Sequence, residues 1–446
     1  MNENVSCLIL AAGKGERMRS DLPKVLHSLG GRPLIRYAIE NARLLKASNI
    51  VVIVGHKAPL VREALKGEKV TFAVQREQLG TAHAVVCGLP ALKRSKGLLY
   101  ILYGDVPLIR PETLRSMKER LVEEEASLVV LTAEMKNPSG YGRIVRDGRG
   151  EVSRIVEHKD AEDWEREIHE INSGIYLVRI EDIRSPLRRV RQNIVKGEYY
   201  LTSLVEGLLA EGKRVTTLKA DDAQEVMGVN TRRELADADA ELQRRIRNRW
   251  MEAGVTMWSP ETIRIDAEAR LAPDVVLHAG TVITGKSAIA RGAEIFPYSV
   301  IEESVVGEGA RIGPFAHVRP ESHVAAGAHV GNFVELKKTK LGPGAKANHL
   351  AYLGDAVIGS RANVGAGTIT CNYDGFHKYP TVIGEEAFIG SDTQLVAPVR
   401  IGKRAWIAAG TTVTQDVPDG ALAVSRIEQR NIPSYDAKRR RKVKRV

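Results

Sequence analysis

Cysteine is scarce in this chain. Cys7, Cys87 and Cys371 are the only three in 446 residues, odd in number and far apart. That pattern excludes a disulfide framework and any CxxC metal or redox motif. Aromatic residues are 5% of the sequence, too few for extended base-stacking surfaces. No apolar run approaches the roughly 20 residues that span a bilayer. The opening MNENVSCLILAAG has an early Glu and no basic leader, so it does not read as a signal peptide. Acids are missing from the last ten positions, where AKRRRKVKRV holds seven of the positive charges behind a net charge of +11. Without that tail the body carries only about +4, which does not describe a nucleic-acid binder. The tail reads as a solvated, disordered terminus, able at most to touch RNA, a membrane surface or a phosphate ligand. The expectation is a cytoplasmic protein with small-molecule substrates and neither nucleic-acid nor membrane partners.

What is present divides into two grammars. Hydrophobic residues make up 43% of the chain, enough for ordinary cores, and the length suits two to three domains. Residues 1–230 alternate apolar strand-like runs (SCLILAA, NIVVIVG, GLLYILYGD) with helix-like stretches such as PLIRYAIENARLLKA. Such alternation predicts an α/β, Rossmann-like domain with a mainly parallel sheet covered on both faces. Residues 231–252 lack Gly and Pro and read as one linking helix, with Leu235, Leu242 and Ile246 on its packing stripe. Residues 253–446 count in sixes. Aliphatic residues recur at Val306, Ile312, Val318, Val324, Val330 and Leu336, and again at Ile383, Ile389, Leu395, Ile401, Ile407 and Val413. A slip is expected between Val282 and Ile289. A hexapeptide period of this kind predicts a parallel β-helix, whose stacked coils bury one aliphatic column.

In the first region, LILAAGKGERM is a strand followed by a glycine loop. It fits neither GxxxxGK[ST] nor GxGxxG, since Met18 stands where the last glycine belongs. The loop alone is compatible with an ordinary tight turn. Lys24 follows closely and could meet phosphate charge. Asp105 ends the strand LLYILYGD, where a carboxylate suits Mg²⁺ or caps a turn before Pro107.

The segments LAAGKGERM, LPKVLH, QREQLGTAHA, YGDVPL, GYGRI, VEHKD, EINSG and EVMGVN stand in the order found in sugar-1-phosphate nucleotidyltransferases. With the sixfold repeat, nearly the full chain resembles the family that is both N-acetylglucosamine-1-phosphate uridylyltransferase and glucosamine-1-phosphate N-acetyltransferase. That resemblance implies a left-handed β-helix, a homotrimer, and UTP and acetyl-CoA as co-substrates. It implies that Leu10, Ala11, Ala12, Gly13 and Lys24 line the nucleotide site. Gln75, Gly80 and Thr81 would select uracil. Tyr103, Gly104, Gly142, Glu157 and Asn172 would contact the UDP-sugar, and Asp105 and Asn230 would hold Mg²⁺.

In the second region the repeat is broken by KANHLAYLGD, residues 346–355. Acetyl transfer to an amine needs a base, and His349 interrupts positions that otherwise prefer aliphatics, with Tyr352 and Asn363 close behind. The resemblance gives His349 that role. It places Arg319, Lys337, Tyr352 and Asn363 on the sugar phosphate or the UDP-sugar product, and Ala366, Asn372, Tyr373, Ser391, Ala409 and Arg426 on acetyl-CoA. Cys371 reads as a small residue near the CoA thiol rather than a nucleophile, because a thioester is already activated. Two other readings stand beside this one. A monofunctional nucleotidyltransferase could carry a purely structural or regulatory β-helix, and a scaffold or RNA-binding protein could use the basic tail.

Overall fold

The computed structural model describes residues 4–193, 197–426 and 428–443. The chain folds into two compact units, Met1–Leu242 and Gln243–Val446.

The first unit is built on β1 (Val5–Ala11), a short hairpin β2–β3 (Ser28–Leu29 and Arg32–Pro33), β4 (Asn49–Val54), β5 (Thr71–Val74), β6 (Leu98–Tyr103), β7 (Leu128–Glu134), β8 (Gly142–Arg146), β9 (Val152–Val156), β10 (Glu170–Arg179) and β11 (Val215–Lys219). The main sheet runs β11-β7-β10-β6-β1-β4-β5, with β8 and β9 attached beside β10. Strand β1 pairs in parallel with β4 and β6. Its seven residues are all buried, as expected of a strand covered on both faces. The sheet is mainly but not wholly parallel, because β10 runs antiparallel to both β6 and β7. The chain leaves β1 toward β4 on one side and returns to β6 on the other. This is a switch point, where loops at the strands' carboxyl ends open a crevice.

Helices α1 (Ile35–Leu44), α2 (Ala58–Ala64), α3 (Thr81–Gly88), α4 (Pro111–Glu123), α5 (Asp163–Arg166), α6 (Ile180–Arg189) and α7 (Ser203–Ala210) accompany the sheet, and α8 spans Arg232–Glu252. Two apolar cores form, one with Ile9, Val52, Leu102 and Leu131, the other with Leu8, Ile53, Ile101 and Val130. Neighbouring residues of one strand thus enter opposite layers, the period of two expected of a strand. A capping box starts α8: Glu234 N–H donates to Thr231 Oγ1 at 3.2 Å, and Thr231 N–H to Glu234 Oε2 at 2.8 Å. Leu235, Ala238 and Leu242 then pack with Leu29, Leu34 and Leu108.

The second unit is a left-handed parallel β-helix of hexapeptide repeats. Its strands fall into three parallel sheets of ten, nine and eight strands. Ile295 stacks on Leu277, Ile312 on Ile295 and Val330 on Ile312, and each of these side chains is fully buried. The first coil's edge is covered by Gln243, whose amide exchanges two 2.9 Å hydrogen bonds with the Ile265 backbone. Ile246 is also buried.

Two expectations are corrected. The repeat does not slip between Val282 and Ile289. Ile283, not Val282, points inward, and the six-residue step is kept through Ile295 and Ile301. The first short step comes between Ile301 and Val306, at the corner where Glu303 takes a positive φ of 39°. The tail is also not wholly without structure, since Tyr435–Val443 forms α9. Its residues after Pro433 are mostly good helix formers, and Asp436 pairs with Arg440 at 2.8 Å, one turn on. Tail residues 444–446 lie outside the described residues.

Candidate active sites

In the first unit, a cavity of about 650 Å³ opens at the carboxyl ends of β1 and β6. Leu10, Ala11, Ala12, Gly13, Lys24, Gln75, Gly80, Thr81, Tyr103, Asp105 and Asn230 line it, although they come from distant parts of the sequence. The glycine loop is tight for a steric reason. Gly15 has φ 68°, and a Cβ there would stand 2.8 Å from Lys24 Cβ, so its lack of a side chain lets the loop lie on Lys24. The Lys24 ammonium donates to Asn230 Oδ1 at 2.9 Å and pairs closely with Asp105. One carboxylate and one amide oxygen therefore converge on a single cation position. Hard oxygen donors, few in number, suit Mg²⁺, which normally completes its shell with water and phosphate oxygens.

Tyr103 ends β6, and its ring fits over Gly174, where a Cβ would lie 2.9 Å away. Burial, then the Asp105 and Glu157 carboxylates, push the Tyr103 phenol well above its usual range, so it stays a protonated donor. That coupling places Glu157 near the β6 end. Gly142 and Asn172 are partners across β8 and β10, and Asn172 Oδ1 accepts from Gly174 N–H at 3.0 Å. Gly104 N–H donates to Leu10 O at 3.0 Å, tying the two loops together. Lys14, Arg17, Gln78 and Glu198 also line the cavity. The sequence reading missed these four. Glu198 precedes Tyr199, whose carbonyl accepts from Ala82 N–H, a contact no local pattern announces.

In the second unit, His349 is exposed at the end of the strand Lys346–His349. Its Nδ1 lies 2.8 Å from Asn332 Oδ1, and the two residues face each other on adjacent coils. An amide oxygen can only accept, so Nδ1 carries the proton and Nε2 keeps its lone pair outward. Asn332 was missed by sequence reasoning, and its place depends on Gly331. A Cβ on Gly331 would sit 1.9 Å from the Asn348 carbonyl oxygen.

Arg319, Glu335, Lys337 and Tyr352 lie on successive coils of the nine-stranded sheet. Arg319 donates to Glu335 at 2.7 Å. Lys378, also unanticipated, comes from the segment after Asn372, and the adjacent Lys337 holds its ammonium below the usual lysine range. Two cations kept this close make a ready anion seat. Asn363 faces Lys346 on the coil below. Asn372 donates to Asp355 Oδ2 at 2.5 Å, and Tyr373 to Gly375 O at 2.5 Å. Ala366, Ser391 and Ala409 stack along one corner. Asp392 N–H donates to Ala366 O, Gly410 N–H to Ser391 O, and Arg426 Nε to Ala409 O. Cys371 is a free, half-buried thiol.

A strand-end cavity lined by Lys24, Asp105 and Asn230 in an α/β unit and a β-helix bearing an oriented histidine are the parts of a two-domain transferase. Comparison with known proteins agrees. Residues 7–171 match the MobA-like NTP transferase domain, and residues 380–415 the hexapeptide repeat of succinyl-transferase. The bifunctional protein GlmU of Geotalea uraniireducens is 44% identical, covering 98% of this chain and 100% of that protein. That of Stutzerimonas stutzeri is 46% identical over 97% and 98%, and that of Halalkalibacterium halodurans 43% over 98% and 99%. The chain belongs to the bifunctional GlmU family. It is a nucleotidyltransferase and an acetyltransferase in one polypeptide, and its two activities make UDP-N-acetylglucosamine.

Proposed function

We propose that residues 1–230 form the uridylyltransferase domain, 231–252 a linking helix, and 253–446 the acetyltransferase domain with its basic tail. Acetyl transfer comes first. Arg319, Lys337, Tyr352 and Asn363 hold glucosamine 1-phosphate by its phosphate, which does not react, and so aim its amine. Lys378 joins them, given its apposition to Lys337. His349 Nε2 takes the amine proton as nitrogen attacks the thioester carbonyl. The C–N bond forms, the C–S bond breaks, and CoA leaves as the thiol. Ala366, Asn372, Tyr373, Ser391, Ala409 and Arg426 seat acetyl-CoA along the corner they share.

The product then meets UTP in the first unit. Leu10 to Gly13 and Lys24 hold the phosphates, and Gln75, Gly80 and Thr81 read uracil. Tyr103, Gly104, Gly142, Glu157 and Asn172 hold the sugar. Its phosphate oxygen attacks the α-phosphorus in line, and pyrophosphate leaves. Asp105 and Asn230 would hold Mg²⁺, which would supply positive charge to the reacting phosphates. No protein nucleophile enters, so alignment and charge carry this half.

The protein is further proposed to be a cytoplasmic homotrimer. Among the described residues no helix is long and apolar enough to cross a membrane. Tyr298, Phe315 and Phe333 form an exposed stacked ladder on one corner, with centroids 5.4 and 5.3 Å apart, the kind of patch that packing against another copy covers.

The His349–Asn332 contact carries the reading, because a purely structural coil has no need of an outward, tautomer-fixed imidazole. The test assays both reactions separately, with free thiol and pyrophosphate as readouts. His349→Ala is expected to lose acetyl transfer by about 10²–10⁴-fold and Asp105→Ala to lose uridylyl transfer by at least about 10²-fold, each leaving the other reaction in place. Pyrophosphate without thiol from the wild type would reduce the β-helix to a scaffold.

A further inference from the structure

One cavity residue is held more firmly than its role in lining would require. Gln75 follows β5 and is only 3% exposed. Its backbone N–H donates to Val54 O at 2.8 Å. Its side-chain Nε2 donates to Gly80 O at 3.0 Å and approaches His83 Nδ1 at 3.2 Å. Both amide hydrogens are thereby used. Among the described residues Oε1 has no hydrogen-bond partner.

His83 sits in the first turn of α3 and is itself constrained. Its Nδ1 must be bare to accept from Gln75, so the ring proton is on Nε2. That nitrogen lies 3.6 Å from Cys87 Sγ, one turn further along the helix. Burial raises the Cys87 thiol pKa, so it stays a neutral thiol, and with the ring proton on Nε2 its sulfur is the weak acceptor. The chain Cys87–His83–Gln75 therefore fixes one amide orientation. Turning the amide over would set Oε1 against the Gly80 carbonyl and the bare Nδ1, two lone-pair clashes at a side chain that is almost wholly buried.

We propose that His83 is a positioning residue that locks the Gln75 amide with its oxygen toward the base, and so makes the nucleotide site choose uracil over cytosine. The inference rests on the reading of Gln75 as a base contact. Uracil offers an N3–H donor, which the fixed Oε1 accepts. Cytosine offers a bare N3, which meets the same oxygen as a second acceptor. Without His83 only the Gly80 carbonyl still opposes turning, so the amide turns more readily to donate to cytosine N3 and the discrimination falls.

The test is the ratio of kcat/KM for UTP to that for CTP in the nucleotidyl-transfer reaction of the full chain. Thermal melting of each variant checks folding. Three variants are compared: His83→Phe, which removes the acceptor, His83→Asn, whose side-chain oxygen can accept from the position of Nδ1, and Gln75→Leu. His83→Phe is expected to lower the UTP/CTP ratio by about tenfold or more, and His83→Asn to keep it within about threefold of wild type. Gln75→Leu is expected to lower it at least as far as His83→Phe. If His83→Phe leaves the ratio unchanged while Gln75→Leu lowers it, the lock is wrong and the base contact stands. If His83→Phe depresses both nucleotides equally, the histidine only packs, and the proposal falls. If Gln75→Leu leaves the ratio unchanged, the base contact itself is wrong.

Discussion

The two units assemble their sites by opposite means. In the first, Lys24 meets Asn230 across 206 positions of sequence, and each side chain arrives on a different loop at a strand end. In the second, Asn332 meets His349 one coil away, and strand register alone brings them together. A loop-built site can change one contact while the sheet beneath stays intact. A coil-built site shares its backbone with the core, so a change at the site is also a change in the stack.

The same substitution in both halves should break this contrast most sharply. Gly331→Ala forces a methyl group into the Asn348 carbonyl and should cost the β-helix about 3 kcal/mol. Gly13→Ala meets nothing within 4 Å, so the first unit should melt as wild type while UTP binding weakens through crowding of the phosphates. Heating each variant and following the two activities separately checks this. If Gly331→Ala retains wild-type melting, the coils are more yielding than their packing implies.

A smaller effect is expected from Asn332→Ala. It removes the acceptor that orients the His349 ring but leaves the coil closed. Acetyl transfer should fall by about 10- to 100-fold, chiefly in kcat, with melting little changed and pyrophosphate release intact. A loss confined to KM would move Asn332 from ring orientation to substrate binding.

The smallest effect is a matter of pH. Burial, then the charges of Arg311, Lys346 and His349, lower the His329 pKa from its ordinary 6.5. A histidine depressed in the fold binds fewer protons there than in the unfolded chain. Its contribution is therefore complete above about pH 6.5 and is lost as pH falls toward the depressed folded value. His329→Gln should flatten the decline of β-helix melting temperature between about pH 7 and 5. An unchanged slope would show that His329 is not a source of it.

The sequence carried the architecture further than the contacts. The sixfold period marked the β-helix because each coil repeats one burial pattern, and eight ordered motifs marked the nucleotidyltransferase unit. The phase of the early coils was not legible, because Val282 and Ile283 are equally apolar and only the folded corner decides which turns inward. Asn332 and Lys378 escaped for a related reason. Coils differ in length, with a step of eighteen residues from Leu277 to Ile295, seventeen on to Ile312 and twenty-five from Val364 to Ile389. Sequence spacing therefore does not say which residue lies above which. His83 had a bland alternative as an ordinary helix residue, and only the contact with Gln75 separates it from one. The tail helix was obscured because a run of like charge signals repulsion before it signals helix propensity.

The parallel coils also act as a ruler. From the strand ending at His349 to the one preceding Arg426 there are four rungs, through Val364, Ile389, Ile407 and Ala423. Each rung rises by the spacing between paired strands, so the two ends stand about 19 Å apart along the axis. If those ends grip the reacting amine and the far phosphate of the acyl donor, the number of rungs measures the donor's arm. Adding or removing one whole rung would leave the stack's chemistry unchanged and still misplace the thioester by about 5 Å. In such a protein, chain length is itself a determinant of specificity.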